Sequence, residues 1–149
     1  MTPDLCLYDQ DLHLWLVKTA ALLKKKRFEE LDLENLIEEI ESMGKRERRE
    51  LANRLTTIIE HLLKLTYWTE VKEENARGWR VTIVEQRRQI IRLLADSPSL
   101  KTWLEEIFLE CYEVARTDTI KANYLPENIF PLQPFLTVEE LLNLDYLPE

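Results

Sequence analysis

Between Leu31 and Leu65 the chain reads LDLENLIEEIESMGKRERRELANRLTTIIEHLLKL. Its apolar residues recur at helical spacing for almost the whole length of that stretch. A half-buried strand needs alternation with a period of two, whereas this pattern steps by three and four residues. Leu33, Leu36, Ile37 and Ile40 form one stripe. Leu51, Leu55, Ile58, Leu62 and Leu65 form a second, and their 4-3-4-3 spacing is the seam of a long helix packed against near-parallel neighbours. Asp32 is placed to cap the first turn. Gly44 suits a left-handed position closing a helix, so the expectation is two amphipathic helices joined there.

The rest of the chain repeats this grammar. Asp9 or Asp11 caps a first helix running to about Lys26, with Leu12, Trp15, Leu16, Thr19 and Leu23 as its inner face. Lys24, Lys25, Lys26 and Arg27 close it, where cations suit the helix dipole. Asn75 is the expected N-cap of a helix over about 76–95, with Trp79, Ile83, Ile90 and Leu94 inward. Gln86 and Arg87 interrupt that face and need partners. Ser97 and Pro98 open a helix that fades near Asn123 and turns Leu100, Leu104, Ile107, Phe108, Cys111 and Ala115 inward. Pro126, Pro131 and Pro134 then break a segment too apolar for a free tail. Thr137 to Glu140 spells a capping box for a short last helix.

These readings predict an all-α, single-domain bundle over residues 1–149. It has about five main helices, an N-terminal arm over 1–8 and a Pro-interrupted segment over 124–149 that wraps the bundle. Only 2 glycines stand among 149 residues, which argues against a sheet-rich fold and against most Gly-rich phosphate-binding loops. No apolar run approaches the roughly 18 residues that suggest a membrane span. Asp4, Asp9 and Asp11 occupy the place of a basic leader, and Cys6 and Cys111 lack metal-binding spacing. A cytoplasmic protein with free thiols is the expectation.

Charge is unevenly distributed. Residues 1–42 carry 5 positive and 10 negative side chains, residues 43–92 carry 12 and 7, and residues 93–149 carry 3 and 11. A basic middle is one mark of a nucleic-acid surface, here through Arg46, Arg48, Arg49 and Arg88. The acidic ends oppose that reading, and basic helices packed beside acidic ones account for it without nucleic acid.

The segments YDQDLHLWL, RFEELDLENLIEEIESMGKRERRELANRL, HLLK, GWRVTIVEQRRQI, DSPSL and DYLPE resemble the bacterial family known as domain of unknown function 29, from about Tyr8 to Glu149. The LENLIEEIESMG block carries the resemblance most specifically. It implies a helical fold over nearly the whole chain and transfers no catalytic residue.

Chemistry is sparse. Glu34, Glu38 and Glu41 line one helix flank, with His61 further along and Arg87 a candidate mate for Glu38. Together they form the one candidate polar constellation. Bundle metal sites draw carboxylates from several helices with a Glu-x-x-His pair. No such pair is present, since Ile58 stands three residues before His61. The leading reading is therefore a non-enzymatic helical protein acting through protein–protein interaction or self-association, with no cofactor expected. The alternative is a phosphohydrolase or nuclease dependent on Mg²⁺ or Mn²⁺ and using Glu34, Glu38 and Glu41 as oxygen ligands.

Overall fold

The computed structural model describes residues 6–148. It is an all-α, single-domain helical bundle with a short final helix, and no strand occurs among the described residues. The helices are α1 (Leu7–Gln10), α2 (Leu12–Lys24), α3 (Leu33–Tyr67), α4 (Lys72–Asp96), α5 (Leu100–Ala122) and α6 (Val138–Leu142), with 3-10 turns at Phe28–Glu30 and Thr69–Val71. Two compact units lie on either side of the Arg46–Glu47 bond, inside α3.

In the first unit, Asp11 does two jobs. It ends α1 with an extended backbone, and its carboxylate accepts from the Leu14 amide at 3.0 Å, capping α2. The expected arm over 1–8 thus becomes helical from Leu7, and its first five residues lie outside the described range. The Tyr8 ring meets Trp15 edge-on at 4.8 Å. Trp15 and Thr19 are the buried residues of α2, whereas Leu12, Leu16 and Leu23, expected inward, are exposed. Lys26 takes the left-handed backbone, φ 59°, and the Arg27 amide reaches back to the Leu22 carbonyl at 2.9 Å. That bond and the one from the Lys26 amide to Leu23 close α2 as a Schellman motif, without the usual glycine.

The largest correction concerns Gly44. It does not end a helix: α3 runs unbroken through it, and no glycine has positive φ. The residues around it are strong helix formers, so the chain propagates across one glycine at a cost of about 1 kcal/mol relative to alanine. A second correction concerns the first apolar stripe. Leu33, Ile37 and Ile40 are 60%, 48% and 60% exposed, although the sequence pattern placed them inward.

In the second unit the seam is realised. Leu51, Leu55, Ile58, Leu62 and Leu65 are fully buried, in a core with Trp79, Ile83, Ile90, Leu104, Tyr112 and Ala115. Trp68, one residue past α3, stacks on Trp79 with centroids 6.0 Å apart. Helix α4 starts at Lys72 rather than at Ala76. Asn75 does not cap it, because its side chain bonds the Val71 carbonyl within the first turn. Residues 98 and 99 form a turn, so α5 begins at Leu100, later than Pro98 suggested. The end of α5 repeats the Schellman closure with Tyr124 in the left-handed position.

The Pro-interrupted segment is held by α5. The Tyr112 hydroxyl donates to the Pro131 carbonyl at 2.6 Å, and the Arg116 guanidinium donates to the carbonyls of Phe130 and Glu127. Phe130 and Leu136 are buried, and Tyr67 meets Phe130 and Phe135 edge-on. Helix α6 carries the capping box read from Thr137 and Glu140.

Candidate functional site

Of the predicted constellation, Glu34, Glu38 and Glu41 belong to the first unit and His61 and Arg87 to the second. Glu34, Glu38 and Glu41 share one flank of α3, and all three are exposed. Spaced along a single helix, they meet solvent rather than one another, and no group of three His, Cys, Asp or Glu side chains able to hold a metal ion occurs among the described residues. Glu38 was expected to be partly buried. It is not, because the packed side of this part of α3 is the one carrying Asn35, Glu39 and Arg46.

The buried carboxylate is its neighbour. Glu39 is 5% exposed and accepts from the Arg46 guanidinium at 2.8 Å and from the Tyr8 hydroxyl at 3.0 Å. The Arg46 bond, and then the Tyr8 bond, hold the Glu39 carboxyl below its ordinary range. Burial, with Glu39 opposite, pushes the Tyr8 phenol up. Sequence reasoning passed over Glu39 because it looked for carboxylates beside the apolar stripe. The available signal was the seven-residue step from Glu39 to Arg46, which sets an acid and a base on one helix face two turns apart.

Arg87 is fully buried, as its place on the apolar face of α4 implied, but its partners differ from those expected. Its Nε donates to the Leu141 carbonyl and its Nη1 to the Tyr146 carbonyl, both at 2.5 Å. Nη2 is buried with no hydrogen-bond partner among the described residues. Burial pulls the Arg87 pKa down. The guanidinium therefore works as a clamp on the C-terminal segment, and Arg80 adds a bond to the Pro148 carbonyl at 3.4 Å. Gln86 finds Arg54, whose guanidinium donates to its side-chain carbonyl at 3.0 Å while also pairing with Glu50.

His61 is half-buried. Its Nδ1 lies 2.8 Å from the Thr57 carbonyl, so that nitrogen carries the proton and Nε2 is left as the acceptor. Burial lowers its pKa despite that bond. Cys6 is exposed, Cys111 is buried, and neither forms a disulfide.

Among the described residues, two apolar stripes of the first unit are exposed. On α2, Leu12, Leu16 and Leu23 stand beside the buried Trp15–Thr19 stripe and remain open to water. On α3, Leu33, Ile37 and Ile40 do the same, and the next position in their 4-3-4 register is Gly44. Exposed singly, apolar residues need no explanation; here they recur at helical spacing along two helices. No helix among the described residues is long and apolar enough to cross a membrane.

The described residues define the class: an all-α helical bundle with a short final helix. The chain belongs to the family described as Domain of unknown function DUF29, whose model matches residues 7–147. No curated protein and no solved structure matches the chain at a significant level of similarity.

Proposed function

We propose that this is a non-enzymatic helical protein that works through a protein interface on its first unit. The observation that supports the reading is the bare stripe Leu33, Ile37 and Ile40. Burying each such side chain contributes about 1.5–3 kcal/mol when it passes from full exposure to full burial. These three are about half-exposed, so roughly half of that gain is still available, and the same holds for Leu12, Leu16 and Leu23. A partner surface collects that gain; water does not.

The test is the native mass of the chain in an extract of cells that naturally make it. The wild-type chain runs in an assembly well above 17.8 kDa, and Ile37→Glu/Ile40→Glu, which buries no charge in the monomer, runs at the monomer mass. Equal monomer masses for both proteins would contradict the reading. An unchanged large assembly in the variant would move the interface elsewhere.

A further inference from the structure

We draw no further inference here: the strongest candidate, the bare stripe of Leu33, Ile37 and Ile40 on α3, is the surface already proposed as the interface, and nothing in the structure shows what covers it.

Discussion

Replacing Arg87 with methionine removes the clamp that holds the C-terminal segment on α4. The side chain is fully buried, and its two bonds go to the Leu141 and Tyr146 carbonyls. A hydrogen bond to a charged group contributes about 1.5–3 kcal/mol net, so the two bonds together are worth about 3–6 kcal/mol. Against this stands the desolvation of a guanidinium that has no carboxylate beside it among the described residues, a penalty of several kcal/mol that methionine avoids. Methionine fills much of the same volume but leaves two carbonyls short of donors, at about 1–3 kcal/mol each if they stay buried. The balance is a loss of about 2–4 kcal/mol, or a melting point lower by roughly 5–15 °C for a chain of this size. The loss should be local in origin. In hydrogen exchange, amides of residues 138–147 should lose protection before those of the α3 seam. Arg87→Lys keeps the charge but cannot span both carbonyls, and should fall as far or further. If Arg87→Met melts within about 0.5 kcal/mol of wild type, and exchange at 138–147 is unchanged, the clamp contributes nothing and the reasoning fails.

Burial pushes the Tyr112 phenol up to about 12, so this group supports the fold below the unfolded value near 10 and withdraws that support as pH rises towards 12. A titration read at the tyrosinate absorbance band should show a late step that is missing in Tyr112→Phe; a late step that survives the substitution would refute the assignment. For Glu39, whose carboxyl is held below its ordinary 4.5, the sign reverses. Its contribution is complete above 4.5 and lost as pH falls through the folded value, so acid should destabilise wild type relative to Glu39→Gln across that window, and parallel acid curves would count against the Arg46 and Tyr8 bonds. Millimolar Mg²⁺ or Mn²⁺ should leave the melting temperature of both wild type and Glu38→Gln unmoved. A metal-dependent rise in wild type that vanishes in Glu38→Gln would instead establish a cation site on the α3 flank.

Helical content, the fully buried 51–65 seam and the Thr137 capping box were all legible in the sequence, because each is a local pattern satisfied by local bonds. The ends of α2 and α5 were half-legible. Their positions could be read, but Lys26 and Tyr124 occupy left-handed backbone that sequence reasoning assigns to glycine. Gly44 misled for the converse reason: a glycine signals a stop only when its neighbours do not pull the helix through. The deeper misreading was of burial. Periodicity identifies an apolar face but not what covers it, so Leu33, Ile37 and Ile40 look the same in sequence as Leu55, Ile58 and Leu62. The Glu38–Arg87 pairing failed for a related reason. A polar residue on an apolar stripe demands a partner, yet backbone carbonyls at the other end of the sequence satisfy that demand as well as a carboxylate does, and they leave no signature among the side chains.

The central claim is that the bare α3 stripe is an interface. Native mass in an extract of cells that naturally make the chain, wild type beside Ile40→Glu, tests it most directly. The account predicts that wild type runs in an assembly well above 17.8 kDa, while Ile40→Glu runs at 17.8 kDa and keeps its helicity when purified. A wild-type chain at 17.8 kDa in the extract, or an Ile40→Glu chain that assembles as wild type does, would contradict it.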